Sequence, residues 1–98
     1  MTIQNDFPFD INFIIKSTFY KDSSIQKITQ KAVQIEPQFA IKVSGKWHFN
    51  KKSLAVFTLI YFNTSEKDKM MALCKALNKV YDVPINFSLA ILQEELQH

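Results

Sequence analysis

The sequence predicts an α+β fold of the ferredoxin-like type, with strands and helices in the order βαββαβ. Three observations lead to this prediction. The segment from Ser53 to Phe62 is the most apolar run in the chain, other segments alternate apolar and polar residues, and two segments repeat apolar residues every three or four positions. We therefore expect a four-stranded antiparallel sheet with two helices packed on one face.

The first strand is predicted to begin at Phe9. Apolar residues alternate with more polar ones from there to Ile15, which is the period of a half-buried strand. We expect this strand to extend as far as Tyr20.

The first helix is predicted after the polar segment 21–24, whose side chains offer capping oxygens. Apolar residues then recur at helical spacing, and Pro37 biases the residue before it away from helical geometry. The helix should therefore span about three turns and end before Pro37. Its apolar positions are Ile25, Ile28, Ala32 and Ile35.

A second strand is predicted from Gln38 to Ser44, where the two-residue period returns. Gly45 follows it. The segment 45–52 has two interpretations: a hairpin in which Trp47 and Phe49 extend the strands, or a loop that leads into the central run.

The run from Ser53 to Phe62 is predicted to be the third strand, because it is rich in β-branched and aromatic residues. Both of its alternating faces are apolar, which is typical of a central strand that is covered on both sides. With helices on one face of the sheet only, we expect the other face of this strand to contact something else.

The second helix is predicted from Met70 to Tyr81, with Thr64 or Ser65 as its N-cap. A fourth strand is then predicted from Val83 to about Leu89, followed by a short C-terminal helix. The competing interpretation is a helix that begins at Asn86 or Ser88.

We predict a single domain over residues 1–98, with residues 1–6 as a loose N-terminus and 92–98 as a C-terminal tail. Hydrophobic residues make up 47% of the chain, enough for one core without metals or disulfides. Cys74 is the only cysteine, there is no stretch of eighteen uncharged apolar residues, and the first residues lack the features of a secretory signal. We expect a cytoplasmic protein that does not bind membranes.

All twelve basic residues are lysines, and the net charge is +3. The lack of arginine argues against acylphosphatase-type chemistry and against sequence-specific DNA recognition, because lysine has no planar fork of donors. The single glycine, Gly45, argues against phosphate-binding loops and dinucleotide fingerprints.

No catalytic residue, cofactor site or metal site is predicted, and we expect the protein not to be an enzyme. Cys74 falls on or near the core stripe of its helix, His48 has no partner nearby in sequence, and His98 is the last residue. Base stacking by Phe57 and Tyr61 lacks the glycine-bearing signature of RNA-recognition domains.

The segment from Lys46 to Lys52 is the best candidate for an interaction site, because lysines flank two aromatic residues and a histidine. It is typical of a contact with single-stranded nucleic acid or with another protein. In a third interpretation, the two aromatic side chains pack on the core and the lysines are exposed to solvent. The candidate residues are Lys46, Trp47, His48, Phe49, Lys51 and Lys52.

The favoured functional hypothesis is a small interaction module that acts as an adaptor or inhibitor by binding or occlusion; an origin in a mobile element is an analogy. It would form a homodimer or contact another protein through the open sheet face at Phe57, Leu59 and Tyr61. The alternative is a weak, lysine-dependent protein that binds RNA or single-stranded DNA.

Overall fold

The computed structural model describes residues 6–18, 20–63 and 65–96. Residues 1–5 of the predicted loose N-terminus, Thr64 and His98 lie outside this part of the chain. Within it, five α-helices accompany a small antiparallel sheet. In chain order the elements are β1 (Phe9–Asp10), α1 (Ile11–Thr18), α2 (Asp22–Ile35), a 3-10 turn (Pro37–Phe39), β2 (Ala40–Val43), β3 (Lys46–Phe49), α3 (Lys51–Phe62), α4 (Lys69–Tyr81) and α5 (Ile85–Leu96).

The ferredoxin-like prediction is wrong, although the chain does combine helices with an antiparallel sheet. The sheet in the described residues has three strands in the order β1-β3-β2. The segments 53–62 and 83–89, both predicted as strands, are helical, and the predicted first strand is only two residues long before it becomes α1. No four-stranded sheet with an open apolar face is therefore present in the described residues.

Asp10 starts α1 and thereby shortens the first strand. Its Oδ1 accepts a hydrogen bond of 2.9 Å from the Phe13 backbone N–H, in the manner of an N-cap. One face of the helix then buries Ile14 and Thr18. The alternating pattern from Phe9 to Ile15 thus belongs mostly to a short helix.

The prediction of a helix before Pro37 is confirmed by α2. Its buried face comprises Ile25, Thr29, Ala32 and Ile35. The Thr29 hydroxyl donates a 2.7 Å hydrogen bond to the Ile25 carbonyl, so this buried polar group is paired. The helix ends at Ile35, and Glu36 adopts an extended conformation before the proline.

The hairpin interpretation of segment 45–52 is correct for its first half. Strands β2 and β3 pair antiparallel, with Val43 opposite Lys46 and Ala40 opposite Phe49. Ser44 and Gly45 form the two-residue turn with φ angles of 51° and 80°. Positive φ at both positions is typical of hairpin turns whose twist matches the strands, and glycine adopts it without strain.

Helix α3 forms because Asn50 and Ser53 cap its start reciprocally. The Ser53 N–H donates to Asn50 Oδ1 and the Asn50 N–H donates to Ser53 Oγ, each at 2.9 Å. The buried positions Ser53, Val56, Phe57 and Ile60 then follow helical spacing. Because α3 packs against both α1 and α4, it carries apolar residues around much of its circumference.

The predicted helix 70–81 is confirmed by α4, but its cap differs. Asp68, and not Ser65, accepts hydrogen bonds from the N–H groups of Met70 and Met71, at 3.0 and 3.3 Å. The helix ends at Tyr81, and the residue that caps it, Asp82, has left-handed geometry. After Pro84, α5 begins and packs along α4, as the competing helical interpretation of this segment expected.

Three phenylalanine rings join the hairpin side of the molecule to α3. The ring centroids of Phe39 and Phe49 lie 5.6 and 5.7 Å from that of Phe57 and 6.5 Å from each other. All three side chains are completely buried. Phe57 therefore joins α3 to the hairpin side of the molecule, while α3 also packs against α1 and α4.

Candidate nucleic-acid interface

Helices α1 and α2 pack against each other and are separated by only residues 19–21. A short connection between two helices in contact is one feature that this pair shares with helix-turn-helix motifs, whose turns have three to four residues. While α2 buries one face in the core, its outward side is polar. The exposed side chains on this side are Ser23, Gln26, Lys27, Gln30 and Gln34.

The β2–β3 hairpin lies beside the first half of α2. Asp22 and Gln26 of α2 line one side of a groove of about 270 Å³, and Lys42, Gly45 and Lys46 of the hairpin line another. The outward side of α2 and the hairpin turn therefore border the same groove. This surface, comprising the exposed side of α2 and the hairpin residues 42–46, is called the α2–hairpin surface below.

The polar groups of the α2–hairpin surface are partly fixed by local contacts. The Gln26 side-chain amide donates to the Asp22 carboxylate one turn earlier. The Lys42 ammonium lies 5.2 Å from the centre of the Trp47 ring, in a cation–π contact. Lys46 is exposed next to the turn. The surface thus presents amide, hydroxyl and ammonium groups, which are donor types that contact bases and phosphates. It also carries the Asp22 carboxylate, which the Gln26 amide pairs, and Asp10 lines the same groove.

The structure divides the predicted segment from Lys46 to Lys52 between two elements. Trp47 packs partly buried against the core and Phe49 is fully buried, so the two aromatics fold back on the core. His48 is half-buried on β3, opposite Asp10 and Ile41. Lys46 alone of the predicted lysines adjoins the α2–hairpin surface.

Lys51 and Lys52 lie in the first turn of α3. The Lys52 ammonium is 5.4 Å from the centre of the Tyr81 ring. Burial, with a smaller effect from Glu36, raises the pKa of the Tyr81 hydroxyl to about 12. Lys52 therefore covers a ring that forms part of the packing of α4, which gives it a structural contact away from the hairpin turn.

The predicted interaction residues of the central run do not form one exposed surface. Phe57 belongs to the buried aromatic cluster, Leu59 is half-buried, and Tyr61 is 40% exposed. Leu59 lies across the helix from the other two, whereas Phe57 and Tyr61 are four positions apart on the same side, where both rings lie next to Tyr20. Tyr61 remains accessible and lies next to Phe62, which is 68% exposed.

Cys74 and His48 lie on α4 and β3, respectively. The Cys74 thiol is fully buried, and burial raises its pKa, while the Ser88 hydroxyl of α5 has a smaller opposing effect. Across the described ranges, no three or more His, Cys, Asp or Glu side chains are grouped closely enough to hold a metal ion.

The outward polar side of α2 is the feature that sequence reasoning missed. The helix itself was predicted, and its polar positions were visible in the sequence at the complementary helical spacing. Their significance depends on the neighbouring hairpin, which becomes evident only in three dimensions. The signal was therefore present, but it did not distinguish a solvated helix face from a binding face.

Comparison with protein families, with curated proteins and with solved structures found no match. Separately, none of the helices in the described residues has both the length and the apolar character needed to cross a membrane. Functional proposals for this chain therefore depend on its own surfaces and their chemistry.

Proposed function

We propose that the protein binds double-stranded DNA through the α2–hairpin surface, with α2 in the major groove and the hairpin against the neighbouring phosphate backbone. The observation that carries this proposal is the placement of α2 and the hairpin turn on one groove. The major groove accommodates an α-helix, and helix-turn-helix proteins place their second helix there while the first crosses the backbone.

The side chains on this surface suit a contact with limited sequence preference. Glutamine pairs with adenine through two hydrogen bonds, and serine contacts several bases. Lys27, Lys42 and Lys46 would neutralise phosphates. Because the chain has no arginine, the commonest contact to guanine is absent. We therefore expect most of the affinity to come from phosphate contacts and any preference to favour A·T pairs.

The sequence-based alternative named RNA or single-stranded DNA as the target. We propose duplex DNA instead because of where the structure places the aromatic residues. Stacking of single-stranded bases needs exposed aromatic platforms. Of the two aromatics predicted for this role in segment 46–52, Phe49 is buried, and Trp47 packs against the core with Lys42 over its ring. The exposed rings of Tyr61 and Phe62 lie on α3, outside the α2–hairpin surface. The exposed helix side, in contrast, offers hydrogen-bonding groups. A cytoplasmic location is part of the same proposal, since a lone buried cysteine suits a reducing compartment.

Replacing Lys42 and Lys46 together by glutamine is expected to weaken duplex binding and to lower its salt dependence. Loss of two phosphate contacts should reduce the slope of log K against log salt concentration by about 1.8. Fluorescence anisotropy with a labelled 20-base-pair duplex, titrated at several salt concentrations, measures both quantities. Single strands of the same sequence are titrated in parallel.

The matched control is the double variant Lys67→Gln and Lys79→Gln, which removes the same charge from exposed positions outside the α2–hairpin surface. This control should retain nearly the whole slope of log K against log salt concentration. Equal losses in the two double variants would contradict the proposed surface. Tighter binding to the single strand than to the duplex would support the single-stranded hypothesis instead.

A second candidate function is protein interaction, beginning with a homodimer. The observation that favours it is the exposed aromatic pair at the end of α3, where the Tyr61 and Phe62 rings lie 4.9 Å apart. Phe62 also borders a groove of about 370 Å³ between α3 and α4, next to Leu59 and Ala76. In a two-fold dimer, the Phe62 ring of each copy would enter this groove of the other. An adaptor or inhibitor function would use the same groove.

Sedimentation velocity across micromolar concentrations tests the dimer. We expect a concentration-dependent dimer that the substitution Phe62→Ala converts to monomer, because the ring would be the central apolar contact. Phe87→Ala serves as control, since Phe87 is also exposed but lies on α5. A monomer throughout the concentration range, or equal effects of both substitutions, would exclude this interface.

A further inference from the structure

A larger cleft lies between α2, α3 and α4, on the flank of α2 away from the hairpin. It encloses about 520 Å³, which is within the range of small-molecule sites. Its floor is apolar and comes from all three helices. The floor residues are Ile28, Ile60, Met70 and Leu73.

The rim of this cleft is basic. Lys27 and Lys31 of α2 and Lys69 at the start of α4 line it, and among the residues that the structure describes no acidic one lines it. Three ammonium groups therefore adjoin one apolar floor, with no carboxylate from the described part of the chain in the lining to neutralise them. The field inside such a cleft favours an anion, because low-dielectric walls concentrate it.

Two tyrosines and Ser24 complete the described lining. Tyr20 and Tyr61 meet edge to face, with ring centroids 5.5 Å apart. Burial, together with the proximity of Tyr61, raises the pKa of the Tyr20 hydroxyl, so this group stays protonated at neutral pH. It is thus available as a neutral hydrogen-bond donor toward a ligand oxygen.

We propose that this cleft binds a small amphiphile with one anionic head group and an apolar body. The floor would bury the body, and the lysines at the rim would hold the head. A metal cation would meet three positive charges and no carboxylate, and a fully polar anion would leave the apolar floor unused. Charge and apolarity together select the amphiphilic anion.

The cleft adjoins the proposed DNA surface. Lys27 belongs to the exposed side of α2 and also lines the cleft. A bound anion would partly neutralise it and should weaken DNA binding. This coupling rests on the proposed function, whereas ligand binding itself does not.

Isothermal titration calorimetry with sodium decanoate, below the concentration at which it forms micelles, tests the site directly. We expect one decanoate per chain. Acetate, which has only the head, and decyltrimethylammonium, which has the chain with opposite charge, should each bind at least tenfold more weakly. Equal binding of decanoate and decyltrimethylammonium would overturn the proposal, because it would indicate unspecific apolar association.

Variants then locate the site. The triple variant Lys27→Gln, Lys31→Gln and Lys69→Gln should bind decanoate at least tenfold more weakly. A control triple that removes the same charge elsewhere should stay within twofold of the original protein; its substitutions are Lys16→Gln, Lys51→Gln and Lys67→Gln. Equal affinities of the two triple variants would overturn the assignment.

The substitution Met70→Glu provides a second variant that does not depend on the rim. It places a carboxylate on the apolar floor, and decanoate binding should be lost while circular dichroism and the melting transition show a folded protein. Retained binding would overturn the assignment.

The DNA-binding proposal and the cleft proposal can be rejected independently of each other. Decanoate is titrated first without DNA, and the duplex is then titrated with and without decanoate. Decanoate binding without any DNA binding would reject the DNA proposal and retain the cleft. DNA binding without decanoate binding would reject the cleft alone.

Discussion

Replacing Phe57 by alanine is expected to lower the free energy of unfolding by about 3–5 kcal/mol. The Phe57 side chain is 0% exposed. Its ring lies 6.0 Å from that of Tyr20 and less than that from those of Phe39 and Phe49. Alanine would leave a cavity where the sheet side of the molecule meets α3, and the surrounding rings belong to separate elements that cannot all move inward to fill it.

Urea denaturation, followed by circular dichroism, measures this loss. The control is Phe62→Ala, which removes an aromatic ring of the same kind from the same helix at a position that is 68% exposed. It should change stability by less than about 1 kcal/mol. If the two substitutions had equal effects, the placement of Phe57 in the core would be wrong.

Replacing Leu92 by alanine is expected to cost about 2–5 kcal/mol. Leu92 is 1% exposed on α5 and belongs to the main hydrophobic core. Its removal would weaken the packing of the C-terminal helix on the rest of the protein. The same denaturation experiment measures the effect, and a reduced slope with urea would indicate that α5 separates before the rest unfolds.

Phe87→Ala is the matched control, because Phe87 is 48% exposed on the same helix. The two substitutions distinguish helix from strand. A strand through 83–89 would group Phe87 with Ile85 and Leu89 on one face, whereas the helix buries Ser88 and Leu92 and exposes Phe87. A larger loss for Phe87→Ala than for Leu92→Ala would favour the strand.

Periodicity predicted the elements that have one buried face. Helices α2 and α4 each show a single buried side. In both the period of 3.6 is clear, because the opposite side is polar. Strand β2 was also located, although it spans Ala40–Val43 and not Gln38 to Ser44, and Gly45 lies in the turn after it. Pro37 likewise ended α2 where expected.

The segments that were predicted wrongly are apolar on more than one side. In α3, packing against α1 and α4 requires apolar residues around much of the helix, so the helical spacing of Val56, Phe57 and Ile60 is hidden within an apolar run. Length and β-branched content then favoured a strand. The pairing of Asn50 with Ser53 was a visible start signal, but its meaning depends on the helix that follows.

The candidate site was predicted only in part. Lys46 was identified from its local sequence, and the accompanying aromatics proved to be core residues. The cleft with Lys27, Lys31 and Lys69 joins residues from two helices that are distant in sequence. No local pattern relates Lys31 to Lys69, since their proximity to one cleft results from packing.

The buried Cys74 thiol offers a way to measure how fast the packing between α4 and α5 opens. The chain contains no other cysteine, and this thiol faces Ser88 beneath α5 while burial raises its pKa. We therefore expect a thiol reagent to react only when the packing around Cys74 opens, by separation of α5 or by unfolding of the whole protein. At high reagent concentration, the labelling rate then equals the rate of that opening. A labelling rate above the global unfolding rate would indicate that α5 separates on its own.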